Sequence, residues 1–95
     1  MKKNIFLIWT TLAVCVFVNI SFAGNINKAQ YFNYALKKFQ AGDNKTAIAY
    51  LDKLIAADPA FVEAYLLRGS ARGILNNYQG ALKDFDSFLE GRKET

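Results

Sequence analysis

Sliding the sequence against itself by the distance from Tyr31 to Tyr65 pairs like with like, in order. Tyr31 falls on Tyr65, Ala35 on Gly69, Asp43 on Asn77, Ala47 on Ala81, Ile48 on Leu82, Leu51 on Phe85, Asp52 on Asp86 and Leu54 on Phe88. Three of these eight pairs are identities, and the others keep size and polarity class. A period of this length marks small units that bury their hydrophobic faces against neighbours.

Each period divides into two helices. Asn27 caps a first helix carrying Tyr31, Tyr34, Ala35 and Phe39, and Gly42-Asp43 ends it and opens the next. The second helix runs from about Asn44 to Ala57, with Ala47, Ile48, Leu51, Leu54 and Ile55 at three- and four-residue spacing. Asp58-Pro59 resets the pattern, Pro being tolerated in a first helical turn and Asp accepting from its free N–H groups. A third helix passes through Tyr65, Gly69 and Leu75, and Asn76-Asn77 makes a turn. Tyr78, Ala81, Leu82, Phe85, Phe88 and Leu89 line a fourth helix that packs back on the third and ends near Gly91. The expected fold is all-α: two tandem helix-turn-helix repeats forming a short solenoid of four antiparallel helices, repeat one at about 28–61 and repeat two at about 62–95.

The pattern resembles the tetratricopeptide repeat, a helix-turn-helix unit of the same period, from Lys28 to about Gly91. The residues that carry the likeness are Tyr65 and Gly69, Tyr78, Ala81, Phe85 and the Asp58-Pro59 junction. The resemblance implies that Tyr31, Ala35, Ala47, Leu51, Pro59, Tyr65, Gly69, Tyr78, Ala81 and Phe85 pack the repeats. It implies that Gly69 faces Ala81 and Ala35 faces Ala47. The chain departs from the pattern at Asn44, which stands where repeat two has Tyr78, and at Lys93, where Pro59 would recur.

Ahead of the repeats, Lys2 and Lys3 precede an uncharged apolar run from Ile5 to Val18, and Ser21-Phe22-Ala23 closes it with small residues. Residues 1–23 therefore read as a signal peptide cleaved after Ala23, with 24–95 as the exported domain. One alternative is an uncleaved anchor, since Ile5–Ala23 is 19 residues and a membrane helix needs about 20. Another is a lipoprotein signal acylated at Cys15, against which Val14 and the continuing apolar run both speak. Signal peptide and anchor alike place the repeats outside the cytoplasm, in a periplasm or secreted, or held at an inner membrane.

Without the leader no cysteine remains, and the chain has no histidine, so a disulfide framework, a Cys/His metal site and His-based acid–base chemistry are excluded. Asp84 and Asp86, two apart on a helix, point in different directions and read as a solvated face. No cofactor, metal or catalytic residue is expected, and no enzyme. Loss of Lys2 and Lys3 lowers the net charge from +4 to +2, and the Arg68/Arg72 and Lys37/Lys38 pairs read as solvated rather than as a nucleic-acid stripe. Asn44-Lys45-Thr46 is a glycosylation sequon, of use only in a eukaryotic secretory pathway.

What the resemblance implies instead is a scaffold binding a protein or peptide segment in a groove lined by the first helix of each repeat. Those positions are Phe32, Leu36 and Phe39, then Leu66, Leu67, Ser70 and Ile74, with Phe32 and Leu66 the most exposed. Phe32, Leu36 and Leu67 occupy places where the family's carboxylate clamp has Lys and Asn, so the groove suits apolar anchors. Three repeats are usually needed for stability and this chain has two, which leaves Phe88 and Leu89 as a face for self-association or a partner. The competing readings are a membrane-anchored homo-oligomer and the opening part of a longer array.

Overall fold

A computed structural model describes residues 26–93. Residues 1–25, on which the signal-peptide, anchor and lipoprotein readings fall, and the last two residues lie outside the described residues. The described chain forms four helices and no strand: α1 (Lys28–Gln40), α2 (Asn44–Ala57), α3 (Val62–Ile74) and α4 (Tyr78–Lys93). No helix among the described residues is long and apolar enough to cross a membrane.

Local chemistry sets the boundaries. The Asn27 side chain accepts from the Gln30 N–H at 3.1 Å, relieving a free donor at the start of α1. At its end Gly42 takes φ 85°, a left-handed conformation that glycine adopts without a Cβ penalty. The Gly42 N–H then reaches the Phe39 carbonyl (3.0 Å) and the Asp43 N–H the Lys38 carbonyl (2.8 Å), the paired bonds of a Schellman turn. Asp43 in turn caps α2, accepting from the Thr46 N–H at 3.3 Å. Hydrogen bonding to Thr46 holds the Asp43 carboxyl below its ordinary value.

The same turn recurs between α3 and α4. Asn76 replaces Gly42 in the left-handed conformation, with φ 68°, a role asparagine also fills. Its N–H bonds the Gly73 carbonyl at 3.1 Å, the Asn77 N–H bonds the Arg72 carbonyl at 2.8 Å, and the Asn77 side chain caps α4 through the Gly80 N–H at 3.1 Å.

The link from α2 to α3 differs from expectation. Asp58 and Pro59 lie in a turn before α3, whose cap position is Phe61 and carries no side-chain bond. Asp58 folds that turn instead, accepting from the Ala60 N–H at 3.1 Å, and its other oxygen meets Lys28 Nζ at 3.2 Å. Its extended backbone (φ −146°) is what a residue before proline prefers. Pro59 is exposed, and its carbonyl receives the Tyr65 hydroxyl at 2.9 Å.

Helix α1 packs on α2, α3 on α4, and α2 on α3, with a smaller contact between α1 and α3. Ala35, Leu51, Leu54, Ala64 and Leu67 form the buried core, with the Phe61 ring folded against Phe32 at 5.5 Å between centroids. In the α3–α4 hairpin the small residues are displaced by one turn from expectation. A Cβ on Gly69 would lie 2.7 Å from the Phe85 ring, whereas Ala81 lies opposite Gly73, its Cβ 4.0 Å from where a Cβ on that glycine would stand. Residues equidistant from the Asn76-Asn77 turn meet in an antiparallel pair, and Ala81 is one turn nearer to it than Gly69. Helix α4 also runs on past Gly91 to Lys93; Gly91 is a point of close approach, where a Cβ would strike Val62, rather than a helix end.

Candidate functional site

Two faces of the molecule carry unusual chemistry. The first is the surface of α1 and α3 that was expected to form a groove. Leu66 and Ile74 stand out from α3, 42% and 59% exposed. Ser70 lies between them with its hydroxyl donated to the Leu66 carbonyl at 2.9 Å, so it offers no free donor. Phe32, Leu36 and Phe39 are half-buried and pack against the core. Two expectations need correction here. Phe32 is not freely exposed, because Phe61 from the α2–α3 turn covers one side of its ring. Leu67 is a core residue, 8% exposed, since it lies on the face of α3 turned toward α1 and α2.

The second face is polar, and it is not the solvated surface that the sequence predicts. Asp84 is 2% exposed. Its Oδ1 accepts from Arg68 Nη2 at 2.7 Å, and its Oδ2 accepts from Arg68 Nε at 3.0 Å and from Arg72 Nη1 at 2.9 Å. Arg68 also donates to Asp52 on α2 at 2.8 Å, tying three helices together. Burial by itself would lower the Arg68 guanidinium, but its hydrogen bonds to Asp84 and Asp52, with their charges, outweigh that and raise it above its ordinary value. Both Asp84 oxygens accept from guanidinium donors and the group is buried, so this carboxylate serves to hold the helices together.

The position equivalent to this cluster in the first hairpin holds aromatic rings. One period earlier, Arg68 corresponds to Tyr34, Asp84 to Tyr50 and Arg72 to Lys38. Tyr34 and Tyr50 lie 4.6 Å apart between centroids, and Lys38 Nζ sits 5.4 Å from the Tyr34 ring. An ion pair with a second cation in one hairpin thus stands where a ring pair with a cation stands in the other.

Several other residues fall away from their expected places. Tyr78 is 64% exposed with its hydroxyl donated to the Asn76 side chain at 2.8 Å, so it braces the turn and packs no repeat. Leu82, expected to pack back on α3, is 63% exposed. Tyr31 meets Tyr50 edge to face at 5.5 Å, Ala35, Ala47, Leu51 and Ala81 are buried, and Tyr65, Gly69 and Phe85 lie in the α3–α4 contact region. Phe88 is half-buried beneath the Arg92 guanidinium, while Leu89 is 55% exposed. Asn44, the sequon asparagine, is 7% exposed in the first turn of α2, which leaves no room for a glycan.

Comparison with family models and with curated proteins returns no match.

Proposed function

We propose that the chain is an exported protein-interaction module of the tetratricopeptide type, built from two tandem repeats as a short α-solenoid. It binds an apolar segment of a partner protein on the face shared by α1 and α3. The observation that carries the reading is the recurrence, one period apart, of helix bounds and turn chemistry: Lys28–Gln40 against Val62–Ile74, and Gly42-Asp43 against Asn76-Asn77 with corresponding hydrogen bonds. The ligand-binding half rests on Leu66 and Ile74, exposed on α3, together with the half-buried Phe32, Leu36 and Phe39 of α1. Exposed apolar side chains grouped on one face of a small protein commonly mark a contact site. Export rests on the Lys2-Lys3 start, the apolar run and Ser21-Phe22-Ala23.

The test is affinity capture from the extracytoplasmic fraction of the source cell, with the natural chain and a Leu66→Ser/Ile74→Ser double variant as baits. Both residues are exposed and lie outside the buried core, so the variant keeps its helical circular dichroism while losing the captured protein. A captured set identical for both baits removes the groove from consideration. As a module rather than a catalyst, the purified chain shows no turnover of ester, peptide, glycoside or phosphate substrates above a matched mock preparation.

A further inference from the structure

Among the described residues, one edge of the α1–α2 hairpin is covered and the equivalent edge of the α3–α4 hairpin is not. In the first hairpin Leu51 and Leu54 are buried in one cluster with Ala64 and Leu67 of α3, and Phe32 and Ile55 pack against that cluster. Their counterparts one period on are Leu66, Phe85, Phe88 and Leu89. Every step moves outward: Leu51 and Leu54 are fully buried where Phe85 and Phe88 are half-buried, and half-buried Ile55 becomes Leu89 at 55% exposure. Half-buried Ile48 becomes Leu82 at 63%, and buried Asn44 becomes Tyr78 at 64%.

The ion cluster locates this edge. Asp84 marks the side of α4 that meets Arg68, and Leu82 and Leu89 lie about 160° and 140° around the helix from it, at 100° per residue. Leu66 is likewise about 160° from Arg68 on α3, so the leucines share the opposite side of the hairpin. Along α4, Tyr78, Leu82, Phe85 and Leu89 follow a four-three-four spacing, the seam of a helix that packs against another.

The first hairpin also shows what kind of helix covers such an edge. It is α3, which follows α2 through a short turn, runs antiparallel to it and presents Ala64, Leu67 and Ala71, all buried. The N-terminal helix of another copy cannot substitute, because α1 has Gln30, Asn33 and Lys37 at the equivalent positions, all polar and exposed. Head-to-tail stacking is therefore disfavoured, and an isologous contact between two open edges remains. A two-fold axis across α4 delivers a second α4 in the antiparallel sense in which α3 meets α2. Setting Leu82 against the other Leu89 also brings Lys83 of each copy toward Glu90 of the other. Tyr78, Leu82, Leu89 and Leu66 expose on the order of 500 Å² per copy, against about 800 Å² per partner in a standard interface, which suits a reversible dimer.

We propose that a second copy of this chain covers the open edge, forming a two-fold dimer with α4 antiparallel to α4. This goes beyond the groove reading: Leu66 borders both surfaces, whereas Leu82, Leu89, Lys83 and Glu90 belong to the dimer edge alone. Sedimentation velocity of the full chain, in the form its expression host releases, tests it from about 1 to 100 µM, a range in which mass action shifts a micromolar dimer. The expected result is a reversible dimer that grows no further. Leu82→Lys and Leu89→Lys each raise its dissociation constant at least about tenfold with helical content unchanged, as for buried anchors at an interface centre. Lys83→Glu and Glu90→Lys each weaken it about threefold or more, and combining them restores it, a reciprocity that intramolecular effects do not produce. Any of four results overturns the proposal: a monomer at every concentration, which reserves the edge for another polypeptide; assembly beyond two copies; a dimer indifferent to both leucine variants; or a charge pair without rescue. A dimer that persists while capture through Leu66 and Ile74 fails keeps this inference and removes the groove alone.

Discussion

Replacing Asp84 by Ala removes the acceptor for three guanidinium bonds and leaves two arginines beside a vacated buried site. The Arg68 and Arg72 side chains are 15% and 24% exposed, so neither recovers full hydration where it stands, although Arg68 keeps Asp52. Breaking a buried pair by removing one partner costs about 3–5 kcal/mol, and the retained Asp52 contact puts this case near 3. At about 4–8 °C per kcal/mol for a domain of this size, the melting temperature falls by roughly 12–24 °C. Restoring the chemistry of the other hairpin offsets the loss. Arg68→Tyr with Asp84→Tyr installs the Tyr34–Tyr50 ring pair, and Arg72 takes the place of Lys38 over a ring. This double variant is expected within about 1 kcal/mol of the natural chain, since a buried ion pair replaced by well-packed rings is often neutral. Urea denaturation followed by circular dichroism measures both. A single variant costing under about 1 kcal/mol refutes a stabilising role for the cluster. A double variant as unstable as the single one refutes the equivalence of the two sites.

Gly69→Ala drives a Cβ into the Phe85 ring and is expected to cost about 1–2 kcal/mol despite its better helix propensity; adding Phe85→Leu, which recreates Ala35 against Leu51, recovers most of it in the same denaturation assay. Gly42→Ala puts a Cβ in the left-handed turn and lowers stability by about 1 kcal/mol, whereas Asn76→Gly is neutral or stabilising by thermal melt. The Asp43 carboxyl is depressed in the folded state, so its contribution is present above the unfolded value near 3.8 and fades as pH falls through the lower folded one. The stability gap between the natural chain and Asp43→Ala, read from urea midpoints, is therefore constant near neutrality and narrows below pH 4.

Helix limits were legible because their determinants are local. Gly42, Asp43, Asn27 and Asn77 act within a few residues, and α2 begins and ends where its pattern does. Contacts set by tertiary geometry were harder to read. Phe61 covering Phe32 depends on how the α2–α3 turn folds back, which no spacing encodes. Asp84 reads as solvated beside Asp86 because its partner lies 16 residues away across a hairpin. The signal was nonetheless present: one period back, Asp84 and Arg68 fall together on Tyr50 and Tyr34, a paired replacement at two facing positions. Counting outward from Asn76-Asn77 would likewise have matched Gly69 with Asp84, next to Phe85, rather than with Ala81. On the groove, apolar residue type marked the right elements, yet type alone does not separate core Leu67 from exposed Leu66.

The contact order of the helices, each touching its neighbours while α1 and α4 never meet, shapes how the native state opens. Cooperative units come apart first where few buried contacts hold them. Helices α2 and α3 are braced on both sides and joined by the Arg68–Asp52 bond, whereas α1 and α4 each depend chiefly on a single neighbouring helix. Amide exchange should therefore be slowest in the middle of the chain and quicken toward both ends. Contacts of such short sequence separation also close with little loop entropy, which places folding toward the fast end of the range for small domains.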